Sequence, residues 1–244
     1  MEDKTALVIG ANGGIGLETS RMLLANGMKV CATYHSNKTD LEQIENSKMN
    51  LYLYQMDLLQ ENSVKSALHE MIKDHRKIDV IVYSVSNSIK NKSIMNMQWK
   101  DIQEHLDLQL KGIFYVVQSL KDQIQAKHKT KFIILLTEYC IGKPPLGIAH
   151  YVTTKYALMG FAKSMASELA KYNCTVNMVS PGMVATNLLS NLPPKLVEMT
   201  AENNPLKRIA VPKDVANVVL FLSRNESDYL NGVNITVNGG GIML

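Results

Sequence analysis

A tyrosine and a lysine four residues apart, Tyr151 and Lys155, lie in a stretch with helical periodicity. The same spacing continues through the apolar positions Leu158, Ala162, Met165 and Leu169. Both polar side chains are therefore predicted to face the interior. A phenol with a pKa near 10 is a poor acid at neutral pH, but a cation within about 4 to 6 Å lowers that pKa. Taken alone, this common spacing favours a packed ring beside a lysine that extends to solvent. On an inward stripe, and together with the glycine-rich loop described next, it predicts that Tyr151 is a general acid assisted by Lys155.

A glycine-rich loop near the N terminus predicts a phosphate-binding site. The segment GANGGIG places Gly10, Gly14 and Gly16 between an apolar run and a helical pattern that ends at Gly27. A strand, a tight turn and a helix N terminus present backbone N–H groups and partial positive charge to a phosphate. Because both flanking elements are present, the loop is predicted to bind a dinucleotide rather than to form only a turn.

Seven short apolar runs alternate with helical patterns along the whole chain. They occupy residues 6–10, 29–34, 51–56, 79–82, 131–136, 175–179 and 233–237. This order predicts a single-domain α/β Rossmann fold over residues 1–244, a seven-stranded parallel sheet with helices on both faces. Thr39 and Glu42 have capping-box spacing, and Pro212 followed by Asp214 predicts a first helical turn. Residues 186–206 show the weakest periodicity and are predicted to form a mobile flap near the site.

The composition predicts a soluble, cytoplasmic globular protein. The 26 Lys and Arg residues are spread along the chain, which argues against nucleic-acid binding. No apolar run reaches the ~18 residues of a membrane span, and no export signal is recognised. Cys31, Cys140 and Cys174 lie among apolar neighbours and are predicted to be buried, reduced thiols. The six histidines show no zinc-ligand spacing, so no metal is expected.

With the glycine loop followed by Tyr151-x-x-x-Lys155, the chain resembles the short-chain dehydrogenase/reductase family, and within it the 3-oxoacyl-acyl-carrier-protein reductases. The resemblance covers essentially the whole chain, including Asp57, PGMVAT at residues 181–186 and the C-terminal LNGVNITVNGG. It implies an NAD(P)H-dependent oxidoreductase that reduces a 3-oxoacyl thioester, bound to acyl carrier protein or coenzyme A, in fatty-acid or polyketide-like biosynthesis. It also implies a homodimer or homotetramer, with a hetero-oligomer as an alternative, and neither nucleic-acid nor membrane partners.

The resemblance also implies a set of cofactor-binding residues. They are Gly10, Asn12, Gly14, Ile15, Gly16, His35, Ser36, Asn37, Asp57, Leu58, Ser84, Tyr151, Lys155, Pro181, Gly182, Val184 and Thr186. Among them, Asp57 is expected to hold the adenine, or alternatively to cap the helix that follows. Lys155 is expected to bind the nicotinamide ribose as well.

The loop after the second predicted strand bears on the choice of nicotinamide. A carboxylate there would bind a ribose 2′-hydroxyl and repel a 2′-phosphate, but the sequence reads TYHSNK. NADPH (NADP) is therefore predicted over NADH, with residues 35–38 as phosphate ligands or as an ordinary polar loop. Gly13 stands where many NADPH-using relatives carry a basic residue, which argues the other way.

Three positions depart from the family pattern. The family's catalytic serine is replaced by Thr137 when counted from the strand, or by Tyr139 when counted back from Gly142. The Thr137 hydroxyl is expected either to take the role of that serine or only to bond its own backbone at the strand end. The family's Asn-Asn-Ala-Gly is replaced by residues 83–86, YSVS. Gln109 stands in place of an asparagine in the helical pattern HLDLQLKGIFYVV, so a water relay at that position is either rebuilt by the longer amide side chain or lost.

These departures motivate two alternatives to ketone reduction. The first is an enoyl-thioester reductase, since such relatives resemble the chain at VYSVSNS and Tyr139 would supply their extra phenol, although they space the tyrosine and lysine further apart. The second is a cofactor-binding subunit with little activity that partners an active relative. The intact Tyr151 and Lys155 pair argues against that second alternative.

Overall fold

The computed structural model describes residues 4–44, 50–190 and 192–243. Its strands are β1 (Thr5–Ile9), β2 (Lys29–Tyr34), β3 (Leu51–Gln55), β4 (Val80–Tyr83), β5 (Thr130–Leu135), β6 (Cys174–Pro181) and β7 (Asn234–Val237). They form one sheet in the order β3-β2-β1-β4-β5-β6-β7, and every neighbouring pair is parallel. Each strand lies within two residues of its predicted position, so the predicted parallel α/β fold is confirmed.

Helices cover both faces of this sheet. They are α1 (Gly14–Ala25), α2 (Thr39–Glu42), α3 (Glu61–His75), α4 (Trp99–Leu106), α5 (Gly112–Ser119), α6 (Lys121–Gln125), α7 (Ala149–Leu169), α8 (Pro194–Asn203) and α9 (Pro212–Ser223). Apolar side chains of α1 and α9 pack on one face, and those of α3, α5 and α7 pack on the other. The central strands β1, β4 and β5 are buried along their whole length, as expected for a sheet covered on both sides.

The two predicted helix starts have different outcomes. Pro212 is the first residue of α9, and the Asp214 carboxylate accepts the Val211 N–H at 2.8 Å, so this start is confirmed. The capping box at Thr39 is wrong, because Thr39 is already inside α2 and its N–H donates to Asn37 Oδ1 at 2.8 Å. The Asn37 amide oxygen therefore caps the first N–H of α2, and the Glu42 N–H that the threonine hydroxyl was expected to cap donates instead to the Lys38 carbonyl at 3.0 Å.

The segment predicted as a flap has more regular structure than expected. Its described part contains a 3₁₀ turn (Asn187–Leu189) and helix α8, which begins at Pro194. Proline suits the first turn of a helix because it lacks only an N–H that has no partner there. No side chain of α8 is fully buried, so helical periodicity gave little signal in the sequence. The mobility of the flap stays a prediction.

Three further features of the structure bear on the predictions made from the composition. Cys31, Cys140 and Cys174 are all free and buried, which confirms the prediction of reduced thiols in the core. Within residues 4–44, 50–190 and 192–243, no helix has the length and hydropathy to cross a membrane. The same residues bring together no group of three or more His, Cys, Asp or Glu side chains that could hold a metal ion.

Candidate active site

The predicted site residues converge at the carboxyl ends of the strands. Gly10 follows β1, Ser84 follows β4, Thr137 follows β5 shortly after its last residue, and Pro181 ends β6. The order of the sheet reverses between β1 and β4. In an open parallel sheet, ligands bind in the crevice at such a reversal point.

The main chain of the glycine loop packs closely against the main chain at the end of β4. Gly10 has a φ of +78°, and a Cβ there would lie 2.4 Å from the carbonyl oxygen of Ser84. A Cβ on Gly16 would lie 2.2 Å from the carbonyl oxygen of Gly10. Because backbone atoms cannot move aside as flexible side chains can, only glycine fits at either position. The close packing leaves a cradle at the start of α1.

This cradle fits a dinucleotide. Helix α1 begins at Gly14 with no acidic residue in its first turn, so the positive end of its dipole is uncompensated. The Asn12 Oδ1 atom is buried and has no hydrogen-bond partner among the described residues. Thr186 lies against Gly14, where a Cβ would meet its Cγ2 atom at 2.6 Å. The predicted cofactor segments before α1 and after β6 are therefore in contact.

The loop after β2 carries the residues expected to select the nicotinamide. The exposed His35 Nε2 lies 4.0 Å from Asp57 Oδ2, and Lys38 Nζ lies 2.9 Å from Glu42 Oε1. The other carboxylate oxygen of Asp57 accepts the N–H of Leu59 at 2.9 Å. Asp57 thus closes the turn before α3 rather than capping α3, whose N-cap is Gln60.

Tyr151 and Lys155 lie on the inward face of α7, as predicted. Both side chains are buried, and so are Leu158, Ala162 and Met165 on the same stripe, with Leu169 partly buried. Lys155 is only 2% exposed, so the alternative in which it extends to solvent is wrong. Its Nζ atom donates to the carbonyl oxygens of Val85 at 3.2 Å and Leu135 at 2.9 Å. The ammonium lies 5.8 Å from the centroid of the Tyr151 ring.

The protonation of this pair differs from the prediction. Burial raises the pKa of the Tyr151 phenol, and a hydrogen bond with Thr137 opposes that rise only in part. Burial also lowers the pKa of Lys155 to about 8. The predicted lowering of the Tyr151 pKa by Lys155 is therefore wrong for the protein alone, because burial raises that pKa and the hydrogen bonds of the ammonium go to two carbonyls. Tyr151 holds its proton firmly at neutral pH.

The structure distinguishes the two candidates for the serine position. Thr137 is buried, shares a hydrogen bond with Tyr151, and its Oγ1 atom accepts the Tyr139 N–H at 3.5 Å. Tyr139 instead packs its ring with Ile148, Tyr151 and Val152. Counting from the end of β5, which selects Thr137, therefore gives the hydroxyl that is hydrogen-bonded to the Tyr151 phenol.

Gln109 lies in a π turn (Asp107–Lys111) that joins α4 to α5. Its side chain is fully buried, and its Nε2 atom donates to Asn87 Oδ1 at 3.2 Å. Its Oε1 atom is buried without a partner among the described residues. The Tyr83 hydroxyl lies within hydrogen-bond distance of the carbonyls of Leu108 (3.1 Å) and Gln109 (2.9 Å), and the Gln109 carbonyl also accepts the Gly112 N–H.

Two histidines beside this site have no counterpart in the sequence-based prediction. His105 and His150 are buried, and their ring centroids are 4.7 Å apart. A signal existed, because His105 is one helical turn before Gln109 and His150 directly precedes Tyr151.

These features together define an NAD(P)-dependent oxidoreductase: the glycine cradle, the parallel sheet, and the buried pair of Tyr151 and Lys155. A family model described as Enoyl-(Acyl carrier protein) reductase matches residues 10–241. The chain belongs to the short-chain dehydrogenase/reductase family.

Individual proteins show the same likeness over their full length. The 3-oxoacyl-(acyl-carrier-protein) reductase FabG of Staphylococcus epidermidis is 32% identical over 99% of this chain and 100% of its own. The protein of that name from Aquifex aeolicus is 34% identical over 98% of both chains. A short-chain type dehydrogenase/reductase from Mycobacterium ulcerans shares the fold, with a TM-score of 0.91 at 22% identity, over 99% of this chain and 90% of that one.

Proposed function

We propose that this protein reduces a 3-oxoacyl thioester, bound to acyl carrier protein or coenzyme A, to the 3-hydroxyacyl form with NADPH, in fatty-acid or polyketide-like biosynthesis. The observation that carries the proposal is the buried Tyr151, hydrogen-bonded to Thr137 and one turn from Lys155, at the crevice with the glycine cradle. The relatives from S. epidermidis and A. aeolicus, which bear the name of this activity, support the substrate class.

The reaction assigns one task to each of three side chains. The bound nicotinamide supplies a hydride to the carbonyl carbon. Tyr151, kept protonated by burial, donates its proton to the carbonyl oxygen as negative charge develops there. The Thr137 hydroxyl donates a hydrogen bond to the same oxygen. Lys155 binds the nicotinamide ribose and places a positive charge beside the phenol as it loses its proton.

The choice of NADPH rests on the loop after β2. No carboxylate stands at the end of that strand, and residues 35–38 offer an imidazole, a hydroxyl, an amide and an ammonium to a 2′-phosphate. Lys38 already pairs with Glu42, so part of its charge is compensated. The remaining cofactor contacts are those of the predicted set, from Gly10 to Thr186.

A homodimer or homotetramer is part of the same proposal. Trp99 of α4, Phe114 of α5 and Tyr156 of α7 are large apolar side chains exposed on the outer surface of these helices. Apolar groups of this size on a surface favour association with another chain. Light scattering at micromolar concentration tests this, and a monomer there contradicts it.

An enoyl-thioester reductase is the second candidate. The description of the matching family model names that activity, and the Tyr139 phenol lies in the same apolar cluster as Tyr151. The one-turn spacing of Tyr151 and Lys155 favours ketone reduction.

Absorbance of NADPH and NADH, followed with acetoacetyl-CoA and crotonyl-CoA, tests these alternatives. Oxidation of NADPH with the acetoacetyl substrate alone, lost in Tyr151→Phe and retained in Tyr156→Phe, is expected from the proposal. Turnover of the crotonyl substrate favours the second candidate. Cofactor binding without turnover of either substrate supports a cofactor-binding subunit instead.

A further inference from the structure

Two buried histidines lie directly behind Tyr151 and have no task in the proposed reaction. His105 and His150 are 5% and 4% exposed, and their rings meet edge to face at 78°. The His105 ring centroid lies 6.5 Å from that of Tyr151. Histidines placed in the interior need partners for their ring nitrogens, since an unpaired buried polar atom is costly.

Two atoms of this cluster lack such a partner among the described residues. They are His150 Nδ1 and Gln109 Oε1, and both are buried. The other end of the Gln109 amide is engaged, since Nε2 lies 3.5 Å from His105 Nδ1 and 3.2 Å from Asn87 Oδ1. Buried polar atoms in native proteins are satisfied by protein or by ordered water. Each of these two atoms therefore has a free hydrogen-bonding position beside the active site.

The cluster reaches the surface at its outer end. Lys92 and Asp101 form a half-exposed ion pair at 2.6 Å, and both act electrostatically on His150. The charged groups that face the histidines are Asp101 of α4, Lys92 of the preceding loop and Lys155 of α7. The positive Lys155 and the negative Asp101 oppose each other at His105.

We propose that His105 and His150 relay a proton from solvent to the Tyr151 and Lys155 pair, through water bound at Gln109 Oε1 and His150 Nδ1. The inference rests on the proposed reductase function. In each reduction the Tyr151 O–H bond breaks and a new O–H bond forms on the product, so the phenolate must regain one proton. Each imidazole accepts a proton on one nitrogen and releases one from the other. No net charge accumulates on either ring.

Two observations support this path over one along the main chain. The Gln109 carbonyl already accepts both the Gly112 N–H and the Tyr83 hydroxyl, so both of its lone pairs are in use. Burial lowers the pKa of His105 to about 4, with the neighbouring His150 and Lys155 adding to the effect, and burial also lowers the pKa of His150. Both rings are therefore neutral near pH 7, the form in which an imidazole has both a donor and an acceptor.

The test measures kcat, KM and the solvent isotope effect with acetoacetyl-CoA and NADPH. Wild type is compared with His105→Ala, His150→Ala and, as a matched control, His69→Ala on the exposed surface of α3. We expect each of the first two changes to lower kcat about tenfold or more. We expect KM and the NADPH dissociation constant to stay within about twofold, and the solvent isotope effect to increase, because proton delivery becomes limiting.

Chemical rescue separates a relay from simple packing. Added imidazole is expected to restore kcat in His105→Ala, whereas pyrazole, which has the same shape but is a far weaker base, is not. If His105→Ala does not fold, His105→Gln replaces it, and the same loss of kcat is expected because an amide cannot pass a proton between two nitrogens.

Each remaining outcome contradicts either the relay alone or the proposed function together with the relay. An active wild type with unchanged kcat in the His105 and His150 variants overturns the relay alone, and so does equal rescue by imidazole and pyrazole. A wild type that turns over no ketone overturns the proposed function and the relay with it.

Discussion

The hydroxyl of Tyr83, at the end of β4, lies 2.9 Å from the carbonyl oxygen of Gln109 in the π turn between α4 and α5. It also reaches the carbonyl of Leu108, at 3.1 Å. One phenol thus fixes the turn that holds the Gln109 side chain beside His105. The residue that breaks the family's Asn-Asn-Ala-Gly pattern therefore has a structural task at the site.

Replacing Tyr83 by phenylalanine is expected to destabilise the protein by about 1 kcal/mol, because it removes a buried hydrogen bond to the turn. The cost of Gly112→Ala should depend on the same hydroxyl, since a Cβ at Gly112 would lie 2.7 Å from Tyr83 Oη. We expect the two changes to be coupled by about 1 kcal/mol, with the alanine less costly in the Tyr83→Phe background. Urea unfolding followed by circular dichroism measures all four proteins, and strictly additive costs contradict the contact.

Every strand was predictable to within two residues because each is a short run bounded by turns, and several, such as VIVY and FIILL, are apolar without alternation. The glycine loop and the inward Tyr151 and Lys155 were predictable for the same reason, since each depends on local spacing. The partners of Lys155 were not, because they are carbonyls of Val85 and Leu135, and every residue type offers a carbonyl. The Tyr151 pKa is raised because segments distant in the sequence bury the phenol, and the spacing of residues does not reveal that burial.

The pH dependence of kcat/KM is expected to follow Lys155. Burial lowers the pKa of this lysine to about 8, so its charge is present below that pH and is lost above it. We expect kcat/KM to fall about tenfold per pH unit above pH 8, because the neutral amine no longer stabilises the developing phenolate. Tyr151 is not the cause, since its pKa is raised and the phenol remains protonated over the same range.

A variant of Lys155 is the control for assigning this pH dependence to the charge of the lysine. Lys155→Arg carries a guanidinium that stays charged, so whatever activity it retains should show no decline between pH 8 and pH 10. A wild-type profile that remains flat up to pH 10 contradicts the assignment of the charge to Lys155.

The preference for NADPH over NADH should change when Glu42 is replaced. Its carboxylate lies 2.9 Å from Lys38 Nζ, so it competes with a 2′-phosphate for that ammonium. Glu42→Gln is expected to lower KM for NADPH about twofold to fivefold, a range set by the weakness of exposed ion pairs, and to leave KM for NADH unchanged. Lys38→Ala should raise KM for NADPH alone.

A matched control exists on α3, where Glu61 and Lys65 form the same kind of pair one turn apart, at 2.6 Å. Glu61→Gln removes one negative charge far from the loop after β2 and should change neither KM. Equal effects of Glu42→Gln on both nicotinamides would show that Lys38 does not contact the 2′-phosphate.

The free energy of unfolding should depend on pH because His105 is buried. Its pKa is lowered to about 4 in the folded protein, against about 6.5 for an exposed imidazole, so between these values the unfolded chain binds a proton that the folded chain does not. The unfolding free energy should therefore rise from pH 4 to pH 6.5, by about 3 kcal/mol from this residue. His105→Leu should lose that part of the rise while His69→Leu keeps it, as measured by urea unfolding across the range. Parallel curves for wild type and His105→Leu would mean that the His105 ring is protonated as readily in the folded protein as in water, which contradicts the lowered pKa of this buried ring.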